Sequence, residues 1–199
     1  MEWYLYIAVI AAGFACGFIN VMAGSGSLIS LPLLIFLGLP ANIANGTNRV
    51  AILMQNIVAV SSFRQQKVLN VKHGLLLAIP AMAGGLAGAS IAVVIDEEVL
   101  RTVIGILMVI MLLVVIIRPK RWLAGKGGEN IETRFRWHNI PVFFAVGMYG
   151  GFIQAGVGIF LLAALVLGAG YDLVKANAVK LLIVLAFTIW ALGVFIYND

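Results

Sequence analysis

The chain has 199 residues, of which 63% are hydrophobic and 11% charged, with a net charge of +5 and one cysteine. A soluble domain has about 45–50% apolar and about 25% charged residues, so this composition excludes a soluble globular domain, a disordered chain and a nucleic-acid binder. A single cysteine, Cys16, also excludes a disulfide-stapled secreted domain and reads as a small core residue. What remains is an all-α integral membrane protein whose solvent is the lipid bilayer.

The N-terminus, Met1-Glu2-Trp3-Tyr4, carries an acid and aromatics where a signal peptide carries positive charge. The first apolar run is therefore expected to stay in the protein as a transmembrane helix. A helix needs about 20 apolar residues to cross a bilayer. The apolar runs are 3–22, 27–38, 42–63, 74–95, 99–117, 138–154, 157–169 and 172–196. Two of them, 27–38 and 157–169, are short, and each follows a glycine-rich break. Short, interrupted hydrophobic segments at corresponding places in two halves point to discontinuous helices around a binding site. Pro32 and Pro80 lie inside apolar runs and are expected to kink helices or to end half-helices.

Arg64, Lys67 and Lys72 follow the third run, and Arg118, Lys120, Arg121, Lys126, Arg134 and Arg136 fill the stretch 118–137. Two spans separate these basic loops, so both are expected in the cytoplasm, with Asp96, Glu97 and Glu98 between them outside. This is the pattern of a multi-pass protein of the inner (plasma) membrane. Trp3, Tyr4, Trp122, Trp137 and Tyr197 fall at span ends, where aromatic belts form, and His73 and His138 begin spans.

The second half repeats the first. Gly13 and Gly17-Phe18-Ile19 match Gly147 and Gly151-Phe152-Ile153 at an offset of 134. After a two-residue deletion the offset is 132, from Ala23-Gly24-x-Gly26 (Ala155-Gly156-x-Gly158) through Gly38 (Gly170) to Ala44-Asn45 (Ala176-Asn177). The expected architecture is a polytopic helical bundle with three parts: a first transmembrane repeat over 1–117, a basic cytoplasmic linker over 118–137, and a second repeat over 138–199. If the short runs cross the bilayer, the repeats are inverted; if they re-enter, the repeats are parallel. Inverted repeats with broken helices are a common transporter plan and are the expectation here. Phe195 aligns with Phe63, so the second repeat reads as incomplete, without counterparts of the spans 74–95 and 99–117.

Candidate chemistry gathers at the breaks. Asn20, Gly24, Ser25, Gly26 and Ser27, and their partners Gln154, Gly156 and Gly158, lie where glycine permits positive φ and frees backbone N–H groups at a half-helix start. Asn45, Thr47, Asn48 and Arg49, with Asn177 and Lys180, place polar and cationic groups inside apolar runs, where they are costly and usually functional. Lys180 takes the place of Asn48 in the repeat alignment. No acid lies in the interior of any run, which argues against a cation as substrate. The pairs Gly13/Gly17, Gly84/Gly88 and Gly147/Gly151 have small-x-x-x-small spacing and read as helix-packing sites. There is no metal-ligand cluster, no nucleophile beside a base and no phosphate loop, since Gly24-Ser25-Gly26-Ser27 lacks its lysine. The chain thus reads as no enzyme, with no cofactor or metal. Its expected partner is a small anion, handled by a secondary transporter; a passive anion channel and a non-transporting scaffold subunit are the alternatives, and a homo-oligomer is compatible with all three.

The run Gly17-Phe18-Ile19-Asn20-x-x-Ala23-Gly24-Ser25-Gly26-Ser27, then Ala41-x-x-Ala44-Asn45-Gly46-Thr47-Asn48, resembles the start of the TauE/SafE (sulfite exporter) family. Gly151-Phe152-Ile153-Gln154-x-Gly156-x-Gly158, then Lys175-Ala176-Asn177-Ala178-x-Lys180, is similar to that family's second repeat. The resemblance implies a bacterial-type inner-membrane carrier of sulfite, sulfonates, related organosulfur compounds or small carboxylates. It also implies two repeats of similar size, from which this chain departs by its shorter second half.

Overall fold

A computed structural model describes residues 3–117, 137 and 139–198. The basic linker apart from Trp137, and His138, lie outside the described residues. All regular structure among the described residues is helical. The elements are α1 (Trp3–Ala23), α2 (Ser27–Phe36), α3 (Ala41–Gln65), α4 (Val71–Val94), α5 (Glu97–Ile117), α6 (Asn139–Phe152), α7 (Val157–Ala163) and α8 (Leu173–Asn198). A π-helical turn, Ala164–Gly168, extends α7. Each of the eight apolar runs is a helix, and both short runs are short helices. α4 and α8 are long and apolar enough to cross a bilayer by length and composition.

Glycine and its neighbours set the helix ends. Gly24, Gly38, Gly156 and Gly170 have φ of +74°, +94°, +73° and +75°, a region closed to most L-residues. The sixth run stops at Phe152 rather than 154 because the chain turns there, with Gln154 itself at φ +65°. Pro32 and Pro80 both sit inside helices, α2 and α4, and neither ends its helix.

The centre of the molecule is α4 against α6 and α8, with α3 across α8. α4 and α6 run parallel through a glycine seam. A Cβ on Gly84 would lie 2.8 Å from the Met148 nitrogen, and one on Gly88 2.8 Å from the Phe152 nitrogen. Gly147 and Gly151 meet the backbone of Ala81 and Gly85 in return. The packing role expected of these two pairs is therefore present, and it lets two backbones touch as small residues do between membrane helices. Gly13 and Gly17 differ. Nothing lies within 4 Å of a Cβ on Gly13, and Gly17 would meet only the Gln55 side chain at 3.8 Å. Among the described residues no backbone approaches either glycine as closely as in the α4–α6 seam.

α3 and α8 run antiparallel. Arg49, near the start of α3, lies under the ring of Phe195, near the end of α8. Val179, early in α8, shares a cleft with Leu69 and Val71 beyond the end of α3. The main apolar core joins Ile52, Leu77, Ala81, Phe143, Leu161, Ile183 and Phe187 from α3, α4, α6, α7 and α8. Large apolar side chains such as Phe14, Phe36, Met54 and Ile79 are exposed on the outer faces. That is how a helix surface meets hydrocarbon.

Candidate functional site

The two chain breaks meet at the centre. Gly24, after α1, touches Gly158, at the start of α7, so closely that a Cβ on Gly24 would lie 2.6 Å from the Gly158 carbonyl carbon. Only a pair of glycines allows this approach. Beside it lies Lys180, 1% exposed. Its Nζ donates to the carbonyl oxygens of Val21 (3.0 Å) and Asn20 (3.4 Å). These belong to the last turn of α1, where the helix dipole is negative; the Asn20 oxygen also accepts from the Gly24 N–H at 2.8 Å. Among the described residues the one ion pair is Lys175–Asp172, on an exposed helix start, so carbonyl oxygens and not a carboxylate hold the buried ammonium.

Lys180 lines a cavity of about 10 Å³ with Asn20, Gly24, Ser27, Asn56, Gln154 and Gly158. That is room for about one water. Asn56, Gln154 and Ser27 are buried. Both amide atoms of Asn56 and Oε1 of Gln154 have no hydrogen-bond partner. The Nε2 of Gln154 donates to the Thr188 hydroxyl at 2.6 Å. Buried polar groups are almost always satisfied, and leaving one unmade costs about 1–3 kcal/mol. A cluster of unsatisfied amides beside a buried ammonium is therefore a place made for a polar guest. The free Nδ2 of Asn56 can donate to an anion, whereas Gln154 spends its Nε2 on Thr188 and leaves an acceptor, Oε1, unpaired.

Arg49 is as buried as Lys180 but sits elsewhere. Its guanidinium donates to the carbonyl oxygens of Gly150 (3.2 Å), Gly151 and Phe152 (3.2 Å), and to Oδ1 of Asn45 (3.5 Å). It also lies 4.6 Å from the centre of the Phe195 ring. Asn45 donates to the Phe152 carbonyl oxygen at 2.8 Å. Arg49 and Asn45 together cap the end of α6, and neither lines the Lys180 cavity.

The sequence candidates thus divide. Asn20, Gly24, Gln154, Gly158 and Lys180 come together. Asn48 lies in an adjoining cleft of about 190 Å³ between α1, α2 and α3, where its Oδ1 accepts from Ser30 at 2.7 Å. Gly26 packs α2 on α1, since a Cβ there would lie 2.7 Å from Cβ of Asn20. Gly156 turns the chain at φ +73° into α7. Ser25 faces a groove of apolar side chains with Leu28, Pro32 and Leu112. Thr47 is exposed and Asn177 half-buried, and neither lines the cavity. Of the thirteen residues expected at one site, Asn20, Gly24, Gln154, Gly158 and Lys180 share the cavity, and the rest lie in other surroundings. Sequence reasoning missed Asn56, the most fully orphaned group in the cavity. Its signal was available, since Asn48, Ile52 and Asn56 follow one another at helical spacing on one face of α3.

Helices with apolar outer faces, two broken elements meeting at a buried cation and unsatisfied amides around it define a membrane protein built around a small polar site. Comparison with known proteins gives the family. The sulfite exporter TauE/SafE family model matches residues 9–199. The chain belongs to that family, a family of membrane transporters. It is 26% identical to "Probable membrane transporter protein ORF9" of Sinorhizobium sp, over 99% of this chain and 74% of that protein. It is 30% identical to "Probable membrane transporter protein YfcA" of Escherichia coli K12, over 87% of this chain and 61% of the relative. A "Probable membrane transporter protein" of Haemophilus influenzae is 27% identical, over 87% of this chain and 67% of the relative. The chain therefore spans between three fifths and three quarters of these relatives' length. No solved structure matches it.

Proposed function

We propose that the chain is a multi-pass inner-membrane carrier of a small oxygen-rich anion, of the size of a sulfur oxyanion or a short organosulfonate such as sulfite or sulfoacetate. The observation that carries this reading is Lys180: a buried ammonium held by carbonyl oxygens alone, facing the orphaned amides of Asn56 and Gln154. An anion entering there replaces weak carbonyl contacts by a charge pair and satisfies the Asn56 amide donor in one step. A cavity of about 10 Å³ holds about one water, so an oxyanion enters only when the helices around Lys180 part, as they do in a carrier.

The reading includes two inverted repeats, α1–α3 and α6–α8, rocking about the contact between Gly24 and Gly158. Three observations support it. The four positive-φ glycines form two pairs at the same offset, Gly24 with Gly156 and Gly38 with Gly170. The bounds of α3 and α8 fall at that offset too. These corresponding helices run antiparallel, as Phe195 over Arg49 requires.

The test is thermal stability of the purified protein against sulfite, thiosulfate, sulfate, sulfoacetate, acetate and chloride. A ligand at 100 times its dissociation constant stabilises the folded protein by about 2.7 kcal/mol. A selective shift with a sulfur oxyanion or sulfonate that disappears in Lys180→Ala is the expected result. Equal response to all anions, or a shift that Lys180→Ala retains, sinks the site assignment. Saturable counter-exchange in proteoliposomes separates a carrier from a channel.

A further inference from the structure

We propose that the cleft where the α3–α4 turn meets the start of α8 is a second oxyanion site, separate from the Lys180 cavity, at the cytoplasmic mouth of the molecule. The cleft has a volume of about 550 Å³, and its lining includes Lys67, Asn70, His73 and Lys175 over a floor with Leu69 and Val179. Leu69 and Val179 are buried, whereas Lys67, His73 and Lys175 are exposed. No carboxylate is among the described lining residues. A cleft with one sign of charge over an apolar floor concentrates anions from the water outside. Arg64, Lys67 and Lys72 put this end of the helices on the cytoplasmic side.

The polar groups suit an acceptor. α4 and α8 both begin here, so the positive ends of two helix dipoles open on the same cleft. Oδ1 of Asn70 accepts from the His73 N–H at 3.2 Å, which leaves Nδ2 of Asn70 as a donor. Asp172, beside Tyr171, is already engaged. Its Oδ1 accepts from the N–H groups of Val174 (3.1 Å) and Lys175 (3.0 Å), and its Oδ2 pairs with the Lys175 ammonium at 3.4 Å. An exposed pair of this kind is weak, so Lys175 can turn to an oxyanion. Lys67 has φ +58° and, with Gln154, is one of two non-glycine residues at positive φ among the described residues. Such backbone strain clusters at functional sites. Gln154 lines the Lys180 cavity, and Lys67 lines this cleft.

The two sites adjoin along α8. Val179 lines the cleft, and Lys180, the next residue, lines the cavity. Lys175 stands earlier on the same helix, roughly 7.5 Å along its axis from Lys180. An oxyanion held by Lys67 and Lys175 therefore waits close to the buried ammonium, behind the Val179 side chain. The site stands on its own lining; only its use as a capture point for Lys180 rests on the transport reading. Its ligand is a sulfate- or phosphate-like group, which can come from a free anion or from the phosphate of an anionic lipid at the membrane surface.

The chain has two histidines, so NMR of isotope-labelled histidine rings reads the cleft through His73, with His73→Gln assigning its signal. The protein is held in phosphatidylcholine nanodiscs at fixed pH and titrated with sulfate. A saturable movement of the His73 signal is expected, not reproduced by chloride at equal ionic strength. Lys67→Gln together with Lys175→Gln weakens the affinity at least about tenfold, and Lys180→Ala leaves it unchanged. If sulfate is silent but phosphatidylglycerol in the nanodisc moves the signal, and the double substitution abolishes that movement, the site stands and its ligand is lipid phosphate. Silence toward both probes overturns the proposal, as does a response that chloride matches or that survives the double substitution. Loss of the response in Lys180→Ala also overturns it, since the cleft is then no separate site. Failure of the anion test at Lys180 leaves these outcomes untouched, so the two readings fail separately.

Discussion

Arg49 and Lys180 make an instructive pair. Each is a fully buried cation near the start of a long helix, α3 or α8, and each reaches the last turn of a helix from the other half of the chain. Their surroundings differ in the number of acceptors. Arg49 spreads its fork over three carbonyl oxygens, one side-chain amide and the face of Phe195. Its Nε alone is without a partner, and Arg49 lines neither the Lys180 cavity nor the adjoining cleft. Lys180 has two carbonyl partners for three donors and opens on unsatisfied amides. Arginine's rigid, many-donor plane suits a permanent clamp, and lysine's compact, swinging ammonium suits a contact made and broken in each cycle. Burial and charge alone do not separate structure from function. What each opens on does: Lys180 lines the cavity with unsatisfied amides, and Arg49 does not.

The comparison can be broken by substitution. The largest effect is expected for Arg49→Ala, which leaves the Gly150 and Gly151 carbonyls without their side-chain donor at about 1–3 kcal/mol each. Loss of the folded state, seen as early unfolding in a circular-dichroism melt, is the expected result, with Arg49→Lys restoring only part. An Arg49→Ala protein that melts normally but binds no anion would exchange the two roles. Next comes Lys180→Ala. Without ligand its melting temperature stays close to that of the unmodified chain, but the ligand-induced stabilisation of about 2.7 kcal/mol at 100 times the dissociation constant is lost.

Gly24→Ala tests the close contact beside Lys180. Positive φ and the backbone of Gly158 together oppose a methyl group, and backbone strain of this kind costs about 1–3 kcal/mol. A melt should register it, and an unchanged melt would mean that the breaks do not touch. Asn56→Leu sharpens the assignment of the cavity. It removes an amide with no protein partner, so stability holds while anion affinity falls about tenfold, or about 1.4 kcal/mol, in a titration. A large drop in stability instead would make Asn56 a structural residue. Smallest of all is Thr47→Ala: the side chain is exposed and away from the cavity, so neither melting nor binding should change.

Much of the fold was legible in the sequence, because hydrocarbon leaves a chain few options. Backbone polar groups must be satisfied within each segment, so apolar runs become helices and glycine-rich breaks end them. The two short runs and the correspondence of Gly24 and Gly38 with Gly156 and Gly170 follow from that alone. The site was half legible. Lys180, Asn20, Gln154, Gly24 and Gly158 were marked by type and place. Arg49 and Asn45 carried the same marks but serve α6, since a polar residue in an apolar run signals a need for a partner without saying which partner it finds. Asn56 was passed over because it lies deep in α3, away from the glycine breaks that drew attention.

By itself the sequence determined the solvent, the helices, their breaks and the excess of cationic over acidic groups inside them. These are local properties, set by hydropathy, backbone freedom and residue charge. The tertiary structure decided which of two buried cations is spent on a helix end and which faces an open amide cluster. It also decided which glycine pairs are covered. Those outcomes depend on the rotation and crossing of α3, α4 and α8 about their neighbours, and helices many residues apart in the chain set them jointly.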